Sequence, residues 1–298
     1  MLKGIAASTL ALGAGNAFAV EETGMVITRA VPKSGLALPV IGLGTWQVLE
    51  NPDRASGEDP GEVLRLLAQV SGSVVDTSPM YGRAEEILGR LVAELGLRPS
   101  LFLATKVWTE GERAGIAEMQ RSFDLIGVET MDLIEVHNLL DWRVHLNTLR
   151  AWRDQGRVRH IGVTHYHSGA FDQLEAVLKQ EPLDFVQFNY SLVEREAEAR
   201  LLPLAAERGV AVIVNRPFVQ GRMFGKVKGK PLPEWAAEFD CQSWAQFFLK
   251  FILGHPAVTC AIPATAKPRH LADNLGAGRG RLPDAQMRAR MATFFEAM

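Results

Sequence analysis

Ser73-Val-Val-Asp76-Thr-Ser-Pro-Met-Tyr81-Gly82, then Ala84-Glu-Glu-Ile-Leu-Gly-Arg-Leu-Val92, then Leu101-Phe-Leu-Ala104 read as a strand, a helix and a second strand. The first run is apolar and β-branched until it stops on a carboxylate. In the second, Ile87, Leu88, Leu91 and Val92 recur at the three- and four-residue spacing of a helix face. Two such strands joined by a crossover helix are the unit of a parallel sheet.

The unit repeats along the chain. Strands are expected at residues 40–43, 73–76, 101–104, 133–136, 160–163, 185–188, 210–214 and 258–262, with amphipathic segments such as Glu62 to Val70 between them. Most of these strands are almost wholly apolar, as in parallel sheets covered on both faces. No composition break or linker separates the units, so the pattern predicts one α/β domain, a (β/α)8 barrel of the TIM type; an open doubly wound sheet is the alternative. Residues 26–38, with Pro32-Lys-Ser-Gly35 inside, read as a β-hairpin plugging the barrel's N-terminal end. The connection from Pro217 to about Asp240 carries Gly221, Gly225, Gly229, Pro231 and Pro233 and reads as a long binding loop.

The chain has 298 residues, 47% hydrophobic and 22% charged, with a formal net charge of -2. A near-neutral balance gives no electrostatic reason for nucleic acid or an anionic membrane as partner. Cys241 and Cys260 are too few for a disulfide scaffold or a zinc cluster. Residues 1–19 read as a cleaved signal peptide: Lys3, an apolar run from Ile5, and Ala17-Phe-Ala19 as the cleavage site. The run is shorter than the roughly 20 residues of a membrane span, so no stable insertion is expected. Met1-Leu-Lys-Gly4 also resembles the end of a twin-arginine export motif. A periplasmic or exported protein follows, with a cytoplasmic one as the alternative, and residues 20–298 form the single barrel domain.

In such barrels chemistry gathers where the strands end. Asp76 ends the second strand, Tyr81 follows it, Lys106 ends the third and His137 the fourth, so neighbouring strands bring all four together. Singly, each has a structural explanation: a helix cap, a core aromatic, a solvated lysine, a satisfied histidine. Together they make a site, because a charge ending an apolar strand needs a partner, and Asp76 with Lys106 is the available pair. A buried ammonium beside Tyr81 is expected to lower the phenol's pKa toward working pH and make it a usable proton donor, with His137 bonding the carbonyl oxygen.

With Gly42-Leu-Gly-Thr-Trp46, Val75-Asp-Thr-Ser-Pro-Met-Tyr-Gly82, Ala104-Thr-Lys-Val-Trp108, Val136-His137 and Ile262-Pro-Ala-Thr-Ala-Lys-Pro268 in order, the chain resembles the aldo-keto reductases over essentially everything after residue 25. The resemblance carries that family's catalytic tetrad onto Asp76, Tyr81, Lys106 and His137. It implies an NAD(P)H-dependent oxidoreductase that reduces an aldehyde or ketone to an alcohol by hydride transfer, with Tyr81 as proton donor. NADPH is the implied cofactor, with NADH as the alternative. It is expected across the barrel mouth on Gly44, Thr45, Trp46, Thr164, His165, Gln187, Asn215, Arg216, Pro217, Phe218, Thr265, His270, Asp273 and Asn274. Thr164-His165 stand where the family commonly has Ser-Asn. Arg216 is the candidate to replace a tyrosine under the nicotinamide, and Ala264, Thr265 and His270 replace the family's reader of the 2′-phosphate. Trp46, Trp108 and Phe218 are the expected apolar pocket for a small-molecule carbonyl substrate. His165-Tyr-His167 lacks the carboxylate or thiolate company of a metal site, and no metal is expected. A monomer is expected. The competing functional reading is a nucleotide-binding sensor on the same barrel with little turnover.

Overall fold

The computed structural model describes residues 24–49 and 58–298; the signal peptide read at residues 1–19 lies outside the described residues. Eight parallel strands form one sheet in chain order: β3 (Leu43–Gly44), β4 (Ser73–Asp76), β5 (Leu101–Val107), β6 (Met131–His137), β7 (Val158–Thr164), β8 (Phe185–Asn189), β9 (Ala211–Asn215) and β10 (Cys260–Ala261). The first and last meet through parallel bridges, Ile41 with Ala261 and Gly44 with Ala264. Between the strands run helices, among them α1 (Pro60–Ala68), α2 (Ala84–Glu94), α3 (Glu112–Ile126), α4 (Trp142–Asp154) and α5 (Phe171–Gln180). The architecture is the (β/α)8 barrel.

The strands at the seam are shorter than their apolar runs. Residues 40–43 and 258–262 shrink to Leu43–Gly44 and Cys260–Ala261. Pro39 and Pro263 flank these runs and have no N–H to extend a ladder. Strands β5 to β8 run longer than expected: β5 continues through Thr105, Lys106 and Val107, β6 and β7 gain residues at both ends, and β8 adds Asn189.

Ahead of the barrel, β1 (Thr28–Ala30) pairs antiparallel with β2 (Ala37–Pro39). The turn between them closes on Gly35, whose φ of 72° suits a residue without a Cβ. Arg29 donates to the carbonyls of His255 (2.9 Å), Leu253 and Val258, and Lys33 donates to Leu183. Those carbonyls precede β10 and β8, so the hairpin lies against the N-terminal ends of the strands. Val31 and Leu38 share a buried cluster with Val74, Phe102, Leu133, Phe185 and Ile213.

That cluster defines which way each strand faces. With a two-residue period, the positions above it on the same strands also point inward: Asp76 above Val74, Lys106 above Phe102 and Ala104, Glu135 and His137 above Leu133, Gln187 above Phe185, Asn215 above Ile213. The interior is apolar beside the hairpin and polar at the mouth. The alternate residues, such as Val75, Leu103, Ile134 and Val186, pack outward in the larger helix-facing core.

The expected long loop after β9 is partly helical. It holds a 3₁₀ turn at Val219–Gly221, α7 (Arg222–Val227) with Gly225 inside it, and a second 3₁₀ segment at Glu234–Phe239. Helices α6 (Leu201–Glu207), α8 (Trp244–Leu253), α9 (Pro268–Gly276) and α10 (Ala285–Glu296) are the remaining α-helices of the described residues. Among the described residues no helix is long and apolar enough to cross a membrane.

Candidate active site

A cavity of about 1090 Å³ opens at the strands' C-terminal end, with Asp76, Tyr81 and His137 among its lining residues. Lys106 lies beneath it, fully buried, its Nζ donating to Asp76 Oδ1 and Oδ2 at 2.7 Å each and to the Thr77 carbonyl at 2.8 Å. The ion pair inferred from the two strand ends is formed. Burial pushes Lys106 down, but Asp76, then Tyr81 and Glu135, overcome this and hold it above the ordinary lysine range.

Tyr81 arrives on the loop after β4. Its ring lies 5.2 Å from Lys106 Nζ and meets the His137 ring edge-on at 6.0 Å. The expected fall of its pKa toward neutrality does not occur: burial raises the phenol to about 12, outweighing the lowering by Lys106. The sequence shows the neighbouring charge but not the depth at which the phenol sits. Tyr81 is thus a phenol that stays protonated, an acid only toward a strong base such as an alkoxide.

His137 is pushed down to about 2, first by burial and then by the Lys106 and His165 charges, so its imidazole is neutral. Ser78 Oγ lies 3.1 Å from its Nδ1 and accepts from the Met80 N–H at 3.4 Å. A hydroxyl at this distance can donate to Nδ1, and in that tautomer the imidazole carries its proton on Nε2, where it can bond a carbonyl oxygen. Ser78→Ala is expected to lower kcat roughly fivefold, the worth of about 1 kcal/mol for one hydrogen bond, with KM for cofactor unchanged. Steady-state kinetics check this; an unchanged kcat removes Ser78 from the account.

Of the expected cofactor residues, Gly44, Thr45, Trp46, Thr164, Gln187, Asn215, Arg216, Pro217, Phe218, Thr265, His270, Asp273 and Asn274 line the cavity, as does Trp108. His165 does not: its Nδ1 accepts from the Tyr166 N–H at 3.0 Å, and its carbonyl accepts from Asn215 at 3.1 Å. Gln187 lines the cavity, but its amide is engaged downward. Its Nε2 donates to Asp76 Oδ1 and Glu135 Oε2, both at 2.9 Å, and its Oε1 accepts from Thr164 at 3.0 Å and Asn215 at 3.2 Å. Arg216 donates to the Tyr166 carbonyl at 3.0 Å and lies 5.8 Å from that ring. At the far end Ser243 and Gln246 both donate to Asp273, at 2.8 and 2.9 Å.

Thr45 Oγ1, Asn138 Oδ1 and Asn215 Oδ1 belong to cavity-lining residues and are buried without a hydrogen-bond partner. Buried polar atoms are seldom left so, and a ligand rich in amide and hydroxyl groups matches them. Tyr81 and Asn274 both line this cavity of about 1090 Å³. The residues present fit a nicotinamide cofactor.

Four functional residues were passed over in the sequence. Ser78 stands inside the motif that ends on Tyr81, Ser243 and Trp244 at the start of α8 line the cavity, and Glu135 is the single charge between Leu133 and Val136.

Fold and site together define a (β/α)8 barrel with a phenol and an imidazole set over a buried lysine–carboxylate pair. The chain belongs to the aldo/keto reductase family, whose match covers residues 40–292. It is 28% identical over 214 residues to the aldo-keto reductase YhdN of Bacillus subtilis, across 66% of this chain and 64% of that protein. It is 26% identical over 251 residues to the glyoxal reductase of the same organism, across 81% and 83%. Among solved structures, an aldo-keto reductase from Klebsiella pneumoniae in complex with NADPH superposes with a TM-score of 0.74 at 23% identity, covering 91% of this chain and 96% of that one.

Proposed function

We propose that the protein is an NADPH-dependent reductase of small aldehydes or ketones in which Tyr81 is the proton donor. The observation that carries this is the convergence of Tyr81 and His137 near the Lys106–Asp76 pair in the wall of the cavity. Bound there, the nicotinamide cofactor supplies the hydride that adds to the carbonyl carbon. This chain's residues handle the oxygen. His137, neutral and protonated on Nε2, donates to the carbonyl and orients it. As negative charge grows on that oxygen, the Tyr81 O–H proton passes to it, and Lys106 stabilises the phenolate left behind. Thr45 and Asn215 hold the amide end of the cofactor through their unpartnered atoms, and Asp273 and Asn274 hold the other end. Trp46, Met80, Trp108 and Phe218 form apolar walls that keep water from the reacting carbon.

Similarity to a glyoxal reductase and to an aldo-keto reductase in complex with NADPH supports this reading. The test is a titration of tryptophan fluorescence with NADPH and with NADH, followed by turnover of glyoxal, methylglyoxal and larger aromatic aldehydes. NADPH consumption that depends on added carbonyl is expected. Tight NADPH binding with no consumption across the panel would assign the barrel to nucleotide sensing instead.

A further inference from the structure

Beside Lys106 of the proposed site lies a second buried carboxyl. Glu135 faces inward from β6, fully buried, and is the β-ladder partner of Lys106 on β5. Gln187 Nε2 reaches both Glu135 Oε2 and Asp76 Oδ1 at 2.9 Å, so one amide nitrogen ties the two carboxyls together. Glu135 Oε1 has no partner. Asp76 takes Lys106 on both of its oxygens.

The charges in this pocket do not balance if every group is ionised. Two carboxylates against one ammonium leave a net negative charge in a site closed to water, which is costly unless a proton neutralises it. Asp76 is satisfied as an anion by Lys106, whereas Glu135 has one oxygen on an uncharged amide and one on nothing. We infer that Glu135 is a positioning residue for proton donation, held as a neutral carboxylic acid beside the Lys106–Asp76 pair so that the pocket tolerates the phenolate of Tyr81. This rests on the reductase reading above. The Glu135 proton is not the one transferred: the O–H bond that breaks is that of Tyr81 and the one that forms is on the product alcohol. With Glu135 neutral, the spent site carries Lys106 positive and Asp76 and Tyr81 negative. Ionising Glu135 adds a second uncompensated charge and opposes release of the Tyr81 proton.

The groups around it agree. Facing Glu135 are Asp76 on β4, Lys106 on β5 and the Tyr81 phenol; Gly162 opposite it on β7 has no side chain, and Gln187 on β8 is uncharged. Along the same interior lie His137, neutral, His160, bonded to the Asp132 carbonyl, and Cys260, whose thiol burial keeps protonated. Burial raises Glu135 well above the carboxylate range; Lys106 opposes this and Asp76 adds to it.

The consequence is a site active while Glu135 holds its proton and weakened on the alkaline side. Glu135→Gln mimics the neutral acid in every condition. Its kcat for carbonyl reduction at neutral pH is expected to stay within about threefold of wild type, and its alkaline fall to move up by roughly one pH unit or more. Infrared spectroscopy of the unliganded full chain should show a protonated carboxyl C=O band at neutral pH that shifts on ¹³C-glutamate labelling and is missing in Glu135→Gln. The labelled wild type needs no variant to fold. Absence of a glutamic-acid band at neutral pH, or superimposable alkaline limbs in the two proteins, overturns the inference. A band present in a protein that reduces no carbonyl leaves the neutral acid standing and removes the reductase reading instead.

Discussion

Tyr81→Phe is expected to lower kcat by about 10²–10⁴-fold, the range general acid catalysis supplies, while NADPH binds as before. The substitution is narrow. Phenylalanine keeps the ring that meets His137 at 6.0 Å and lies 5.2 Å from Lys106, and removes only the hydroxyl. Nothing else near the carbonyl replaces it. His137 is neutral and a weak acid, and Lys106 is held by Asp76 and the Thr77 carbonyl. Burial, by holding the phenol near 12, keeps it protonated across the working range. Steady-state rates measured beside a fluorescence titration with NADPH separate chemistry from binding. A variant within about tenfold of wild type in kcat would place the proton donor elsewhere.

The strand–helix repeat made the barrel readable, because apolar strands covered on both faces and amphipathic crossovers have distinct periods. The pairing of Asp76 with Lys106 was readable for a related reason: each ends an apolar run, and a charge so placed has few ways to be satisfied. What escaped the sequence depends on depth and on neighbours across the sheet. Tyr81 was expected near neutrality because Lys106 is beside it, yet desolvation is the larger effect, and sequence order does not reveal it. Gln187 was read as a cofactor ligand, but its amide is taken by Asp76, Glu135, Thr164 and Asn215. His165 follows Thr164 in the chain and turns out of the cavity, its ring bonded to the next residue's amide. Glu135 stood in plain view within Leu133-Ile134-Glu135-Val136, and the two-residue period from His137 puts it inside the barrel. Counting the run as apolar hid the one residue that breaks the rule.

Lys106→Met carries the largest expected loss of stability, about 3–5 kcal/mol, because it leaves a buried carboxylate without its counter-ion. Lys106 is fully buried and Asp76 2% exposed, so water cannot replace the three hydrogen bonds of 2.7, 2.7 and 2.8 Å that vanish, and the Thr77 carbonyl is orphaned as well. Denaturant unfolding of the single variants and of Lys106→Met/Asp76→Leu tests this as a cycle. The double variant is expected to recover most of the loss, since both charges leave together and apolar side chains fill the space. A Lys106→Met cost below about 1 kcal/mol, as for an exposed pair, would mean the ion pair is not the buried strut described above. The two single variants should also differ. Asp76→Leu leaves the ammonium, and Glu135 on the neighbouring strand can release its proton and become the new partner. Lys106→Met leaves two carboxyls and no cation, and the only relief is to protonate Asp76 as well. Asp76→Leu is therefore the milder change, and the gap between the two reports the neutral acid at Glu135 through stability, independently of any turnover.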